Sequence, residues 1–370
     1  MKINDLQTPA ILLDMDALEK NIKAYQEKAS KYGKQIWPMV KTHKSLELAK
    51  MQADAGASGF LCGTLDECEA LCAAGYKNIM YAYPVASVES IRRVIALSRR
   101  CNFIIRLDGI DSARIIEEAA AQANAVINYT IIIDCGLHRF GVTADRVLEF
   151  AEAIKDFPHL KMKGISSHSG QVYAAASAKE VPGYAKEETE AISAAVKVLK
   201  EAGYNLDIVS SGSTPTFELT LGDENIQIYH PGNYVFNDCI QLSNGTCEED
   251  ECALSVLATV ISHPSEHLFI CDAGAKCLGL DQGAHGNTSI VGHGRVKGHP
   301  EAVVAGLSEE VGKLKVEGAT SLKVGDKIEI IPNHSCSTAN LTSQYVAVRK
   351  GEAERLISVD VRSNSTYPGI

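Results

Sequence analysis

Phe103-Ile104-Ile105-Arg106-Leu107, the amphipathic stretch Ser112–Ala123, Tyr129-Thr130-Ile131-Ile132-Ile133, the stretch Ala144–Lys155, and Met162-Lys163-Gly164-Ile165-Ser166-Ser167 follow one another in the middle of the chain. Each short β-rich run leads into a segment with apolar residues at helical spacing and charges on its other face. The same alternation extends outward. Toward the N-terminus the β-rich runs are Ile36–Val40, Gly59–Gly63 and Asn78–Ala82, and toward the C-terminus Asp207–Ser211 and Ile226–Tyr229. Helical patterns at Leu46–Ala55, Leu65–Ala74, Val88–Arg99 and Glu187–Ala202 separate them. Strands alternating with helices imply parallel βαβ units. Eight of them in about 220 residues predict a (β/α)8 TIM-type barrel over residues 8–240. The rival, an open doubly wound sheet, would be favoured by a GxGxxG turn after an early strand, and none is present.

Beyond residue 240 the rhythm changes. Leu254–Ser262, Leu268–Asp272, Ala302–Leu307, Gly312–Lys315, Lys327–Ile331, Gln344–Arg349 and Glu352–Val359 read as strands without long helices between them. Turns such as Val324-Gly325-Asp326 separate several. The expectation is a mainly β domain over residues 241–370, joined by an N-terminal strand within residues 1–7.

Composition narrows the function classes. The 370 residues are 45% hydrophobic and 22% charged, which excludes a disordered chain. Lys plus Arg number 36 and Asp plus Glu 46, a net charge of −10. That balance argues against nucleic-acid and anionic-membrane partners, because no positive excess offsets phosphate. No apolar run reaches the length of a membrane span or a signal-peptide core, so the expected location is the cytoplasm. The 11 cysteines then read as reduced thiols. Cys68 and Cys72 lie i, i+4 on an expected helix and read as packing residues.

In such a barrel the chemistry sits at the C-terminal strand ends. Lys41, after the first strand, presents an amine able to form a Schiff base with an aldehyde, or is an ordinary solvated lysine. After the fifth strand, Arg139 suits a ring nitrogen or a carboxylate; Asp134 suits a metal, and both suit a salt-bridged rim. The sixth strand leads to His168 and Tyr173, which suit acid–base work or simply shape their loop. Gly212, Ser213 and Thr214 follow the seventh strand; Gly232, Asn233 and Tyr234 follow the eighth. These are small donor-rich turns of the kind that bind phosphate in barrel enzymes. In the β domain, His334 and Cys336 offer a nitrogen and a sulfur ligand for Zn2+, or are a buried thiol beside a hydrogen-bonded histidine. An amine, a phosphate cradle and a ring partner together point to pyridoxal 5′-phosphate (PLP).

The chain resembles the PLP enzymes of the alanine-racemase fold group, in the branch of D-serine dehydratase and D-threonine aldolase. The resemblance runs from about Thr8 to about Val348. It rests on Thr8-Pro9-Ala10, Val40-Lys41-Thr42-His43-Lys44, Ala82-Tyr83-Pro84, Ile133–Val142, His168-Ser169-Gly170, Gly212–Thr216, Pro231–Asp238, Asp272-Ala273-Gly274, Leu307–Glu310 and Pro332–Cys336. The resemblance implies Lys41 as the Schiff-base lysine and Arg139 against the pyridine nitrogen. It assigns Gly212, Ser213, Thr214, Gly232, Asn233 and Tyr234 to the phosphate, and Tyr173 and His168 to the substrate side. His334 and Cys336 match the metal pair, for Zn2+ or another divalent ion such as Mn2+. The implied substrate is a D-β-hydroxy amino acid, and the implied assembly a homodimer.

Most in keeping with that branch is D-serine or D-threonine dehydration to a 2-oxo acid and ammonia, toward which Cys336 tilts. Retro-aldol cleavage to glycine and an aldehyde is the alternative; racemisation and a non-catalytic PLP carrier stand further off, and a metal hydrolase on the same barrel is the outside option. Two positions depart from the family pattern. Trp37-Pro38-Met39 stands where Arg-Pro-His is frequent, and Val311 where a histidine often follows Leu-Ser-Glu-Glu.

Overall fold

The computed structural model describes residues 1–284 and 287–363. Its strands in chain order are β1 (Ala10–Asp14), β2 (Gln35–Ile36), β3 (Phe60–Cys62), β4 (Asn78–Tyr81), β5 (Asn102–Leu107), β6 (Ile127–Ile133), β7 (Leu160–Ser167), β8 (Ile208–Ser211) and β9 (Ile228–Tyr229). They continue with β10 (Leu254–Ser265), β11 (Leu268–Cys271), β12 (Gly294–Val296), β13 (Ala302–Leu307), β14 (Gly312–Val316), β15 (Lys327–Pro332), β16 (Gln344–Arg349) and β17 (Glu352–Ser358).

The eight-stranded sheet has the order β2-β9-β8-β7-β6-β5-β4-β3. Its neighbours pair in parallel throughout. A single parallel bridge, Met39 to Leu61, joins its two ends. This is the expected barrel, nearly closed. The first strand is shorter than its sequence suggests. Trp37 and Met39 still donate to Tyr229 and Pro231 carbonyls, but Pro38 between them has no N–H, so the regular ladder stops at Ile36.

Thr64 and Ser87 cap the helices Leu65–Ala73 and Val88–Ser98, their hydroxyls accepting from Glu67 and Ser90 N–H. The helices' apolar stripes press on the barrel's outer face, where Cys68 and Cys72 are buried in the main core. Inside, Trp37, Met39, Leu61, Met80, Ile104, Ile208 and Ile228 form a separate buried cluster. This layer fills the barrel and leaves room only above it. The departures Trp37 and Met39 therefore enlarge an apolar plug.

The second sheet runs β11-β14-β13-β12-β15-β10-β1-β16-β17, and an additional β10–β11 pairing closes its first six strands into a ring. Register shifts at Val260/Ser262 and Ser262/Ser265 let the long β10 bend between both neighbours. One expectation is corrected here. Residues 1–7 supply no strand: Ile3–Asp5 is a 3-10 turn and Lys2 makes one isolated bridge to Glu352. The strand that joins is β1, antiparallel to β10 and parallel to β16. The physical reason is burial on both faces. Ile11 and Leu13 enter the main core while Leu12 packs on Leu257 and Val348, whereas Asn4 and Asp5 have no apolar face to bury. No described helix is long and apolar enough to cross a membrane, and all 11 cysteines are free.

Gly164 sets the line of β7. At the register shift where Thr130 pairs with Gly164, its φ is +143°, and a Cβ would lie 1.8 Å from the Ile208 carbonyl oxygen. Gly164→Ala is therefore expected to destabilise the fold by about 2–4 kcal/mol. Urea unfolding measures this, and a change under about 0.5 kcal/mol, the size of an ordinary surface substitution, contradicts it.

Candidate active site

One cavity of about 1120 Å³, its open mouth included, lies above the plug at the C-terminal strand ends. That is the size of a cofactor pocket. The 3-10 turn Val40–Thr42 carries Lys41 into it. Three contacts hold this turn. Lys44 adopts φ +52° while its buried ammonium pairs with Glu67 Oε1 at 2.7 Å. Glu67 Oε2 accepts the Gly63 N–H. His43 accepts from Ser45 N–H at Nδ1, so its Nε2–H donates to Gln52 Oε1 at 3.1 Å. Burial pushes the His43 ring down to about 4, so it stays neutral.

Gln52 continues that chain by donating to the Tyr234 hydroxyl at 2.9 Å. Tyr234 is buried and stacked on Tyr25, so its hydroxyl joins the support of Lys41 instead of facing the cavity. Thr214 Oγ1 accepts the Tyr234 N–H at 3.2 Å, stitching the β8 loop to the β9 loop. Gly212, Ser213, Gly232 and Asn233 do line the cavity.

His168 and Tyr173 line it from the segment after β7. His168 Nδ1 donates to the Gly212 carbonyl at 3.2 Å. Burial, then the Lys41 charge, pull its ring down to about 3, so His168 works as a neutral imidazole. Burial, then Cys336 and Asp238, push the Tyr173 phenol up, so it keeps its proton. Arg139 is exposed at the mouth, with its guanidinium over the Phe140 ring at 4.4 Å and the Tyr83 ring at 5.7 Å. Asp134 accepts from His138 and from two backbone N–H groups, which ties it to its own turn.

A second arginine was not legible as a site residue. Arg106 projects from β5 into the cavity, is 3% exposed, and has a buried Nη2 with no partner among the described residues. Burial draws its guanidinium down to about 9. His230 Nε2 is likewise buried without a partner, because Nδ1–H is committed to the Trp37 carbonyl at 2.8 Å. The signal for Arg106 was a charge inside an otherwise apolar strand. For His230 it was its place beside the β9 loop.

The candidate metal pair, His334 and Cys336, stands on the helix Ser335–Leu341 and the residue before it. Cys336 Sγ lies 3.3 Å from Thr42 Oγ1, beside Lys41. Burial would raise the Cys336 thiol, but His334, then Lys41, pull it below its ordinary value. The His334 ring is raised: burial opposes this, and Cys336 and Asp238 outweigh it. The two shifts run in opposite directions, each driven by the other member of the pair, and a divalent cation would compete with protons for both groups.

Asp238 holds this arrangement together. Its Oδ2 accepts from Asn233 Nδ2 at 2.7 Å, Ser335 N at 2.9 Å, His334 Nδ1 at 3.1 Å and Ser335 Oγ at 3.3 Å. Oδ1 caps the helix Cys239–Ser243 through Gln241 N–H. A carboxylate on Nδ1 fixes the ring and leaves Nε2 as the nitrogen that a metal would use. Among the described residues no group of three or more His, Cys, Asp or Glu is arranged to hold a metal. The chain therefore offers two ligands, and water or substrate would complete the set. Val311 closes the β13–β14 turn onto Ser308 and is not part of the cavity wall.

PLP requires an amine, a side-chain-free phosphate cradle and a polar partner for its ring. The residues fit. A Cβ on Gly232 would lie 3.1 Å from Met39 Cβ and Thr42 Oγ1, and Gly212 has φ +118°, so both loops close only around glycine. The unpartnered Arg106 Nη2 and His230 Nε2 are buried polar atoms that such a group could satisfy.

Comparison with known proteins agrees. Residues 13–238 match the family model of the alanine racemase N-terminal domain, and residues 253–348 that of a putative serine dehydratase domain. A D-threo-3-hydroxyaspartate dehydratase of Delftia sp. (strain HT23) is 31% identical over 93% of this chain and 94% of its own. A D-serine dehydratase of Dictyostelium discoideum is 30% identical over 93% of each. A solved D-threonine aldolase from Filomicrobium marinum superposes with a TM-score of 0.90 at 26% identity, covering 99% of this chain and 98% of its own. A D-threo-3-hydroxyaspartate dehydratase has been solved as a histidine-to-alanine mutant, with a TM-score of 0.91 at 29% identity over 99% of this chain and 97% of its own. It has also been solved as a cysteine-to-alanine mutant in the metal-free form. The two substituted positions there lie two apart, the spacing of His334 and Cys336.

Asp238→Ala would leave donors of both domains without an acceptor. The expected cost is more than about 3 kcal/mol in urea unfolding. A loss below about 1 kcal/mol, the net worth of one ordinary hydrogen bond, contradicts this account of the residue.

Proposed function

Because the chain belongs to the family that joins an alanine racemase N-terminal domain to a putative serine dehydratase domain, we propose that it is a PLP-dependent, metal-assisted lyase that dehydrates D-β-hydroxy amino acids to 2-oxo acids and ammonia. The observation that carries the reading is the His334–Cys336 pair set beside Lys41 and locked by Asp238. The dehydratase names of the two relatives support it. A thiolate and an imidazole suit Zn2+ better than Mn2+.

Bound PLP supplies an electron sink for the substrate's α-carbon, and a divalent cation a Lewis acid for its β-hydroxyl. The chain's own residues do the rest. The Lys41 amine takes the α-proton. Tyr173 holds its proton under the influence of burial, Cys336 and Asp238, so it can donate to a departing hydroxyl. Gly212, Ser213, Gly232 and Asn233 would hold the PLP phosphate. Arg106 and His230, buried above the plug, would offer polar partners to the rest of the cofactor, and Arg139 at the mouth would meet the substrate carboxylate.

Retro-aldol cleavage is the second reading, and one observation favours it. His168 is a neutral imidazole in the cavity, able to accept a β-hydroxyl proton. Incubation with D-serine, D-threonine and D-threo-3-hydroxyaspartate separates the two. A 2-oxo acid with ammonia is the expected product; glycine with an aldehyde replaces the first reading by the second. Chelation with EDTA is expected to abolish turnover, with recovery on adding Zn2+, and full activity after chelation overturns the metal's role. Lys41→Ala is expected to lose the absorbance near about 410–430 nm that a lysine-bound PLP gives, and retention of the band overturns Lys41.

A further inference from the structure

Behind the β8 loop, three hydroxyls form a triangle, and a fourth, Ser211, faces Glu188, whose carboxyl Ser169 and Thr216 also reach. Ser169 Oγ lies 3.2 Å from Ser213 Oγ and 3.0 Å from Thr216 Oγ1, and Ser213 Oγ lies 3.0 Å from Thr216 Oγ1. Ser211 Oγ donates to Glu188 Oε1 at 2.6 Å. All four residues are at most 1% exposed. Glu188 comes from the helix Val181–Glu201, is 0% exposed, and has an Oε2 with no partner among the described residues.

A hydroxyl has one proton to give. An ionised Glu188 only accepts, so it draws hydroxyl protons backward, away from the loop. A protonated Glu188 donates one instead, and a hydroxyl proton is released toward the Gly212–Ser213 wall of the cavity. The surroundings bear on which form is present. The groups facing Glu188 are Ser211 on β8, Ser169 after β7, Ser213 and Thr216 after β8, Cys135 after β6, Tyr229 on β9, and Asp223 in the turn before β9. None carries a positive charge. Burial raises the Glu188 carboxyl, the hydroxyls of Ser169, Ser211 and Thr216 partly offset this, and Asp223 raises it further. A phosphate adds up to about two negative charges on the other side of the same hydroxyls.

We propose that Glu188 is a positioning residue that carries a proton when a phosphate monoester sits on the Gly212–Ser213 and Gly232–Asn233 loops, and so turns the hydroxyl cluster into a donor array. Binding then takes one proton from solvent onto Glu188. This rests on the PLP reading above. It adds an acid that touches neither cofactor nor substrate and sets how tightly the phosphate is held.

The test is the affinity of PLP for the stripped, full-length protein across the pH range in which it stays folded, for wild type and Glu188→Gln. The glutamine keeps the shape and donates permanently. The wild-type Kd is expected to rise up to about tenfold per pH unit above the Glu188 titration, the slope of one linked proton. The E188Q protein is expected to lack that rise, so that the titrations of PLP and Lys41, common to both proteins, cancel in the difference. Parallel pH profiles overturn the proposal, as does a folded E188Q protein that no longer binds PLP. Failure of the wild type to bind PLP at any pH overturns the cofactor reading, and this inference with it.

Discussion

One carboxylate, Asp238, receives the donors of both halves of the molecule. It takes Asn233 from the β9 loop of the barrel, His334 and Ser335 from the β domain, and the first turn of its own short helix. A buried anion with this many donors is stable only if every one is in place. Asp238 is therefore the main link that positions the β9 loop and the His334–Cys336 pair relative to each other, with Asn233 to Ser335 Oγ at 3.0 Å and Cys336 to Thr42 Oγ1 at 3.3 Å beside it. Remove it and two well-folded sheets would still meet, but the amine, the cradle and Cys336 would no longer share a fixed frame.

The rest of the structure serves that frame. The plug of Trp37, Met39 and their neighbours closes the barrel interior and confines the ligand to the upper end. The Lys44–Glu67 pair and the His43–Gln52–Tyr234 chain seat the Lys41 turn. Both act through buried polar groups whose partners are fully specified, which favours one geometry over alternatives. Electrostatics complete the picture. The acidic chain concentrates positive charge at Lys41, Arg106 and Arg139 around one cavity, so that phosphate and carboxylate are attracted locally by an otherwise negative molecule.

The barrel was legible because its eight strands are apolar runs at a regular spacing, and the β domain because its turns carry Gly and Asp. What escaped did so for physical reasons. β1 is only five residues long, and its partners lie at β10 and β16, far away in sequence. Lys41, His334 and Cys336 stood out by residue type at a strand or helix end. Arg106, Asp238 and Glu188 did not, because their importance lies in what surrounds them. A buried charge announces itself through its unpaired or converging partners, and those come from segments that only folding brings together. Tyr234 shows the reverse: its backbone lies in the expected loop, while its hydroxyl turns toward Gln52.

If Asp238 joins the two sites into one unit, each ligand should stiffen the carboxylate that the other needs, and their binding must be coupled. The direct measurement is Zn2+ affinity by competition with a chromogenic chelator, for protein loaded with PLP and protein stripped of it. The account predicts tighter metal binding in the loaded protein by about 5–150-fold, the usual range of such coupling, and the same affinity in both forms of Asp238→Asn. Equal affinity in the two forms of the wild type would contradict it.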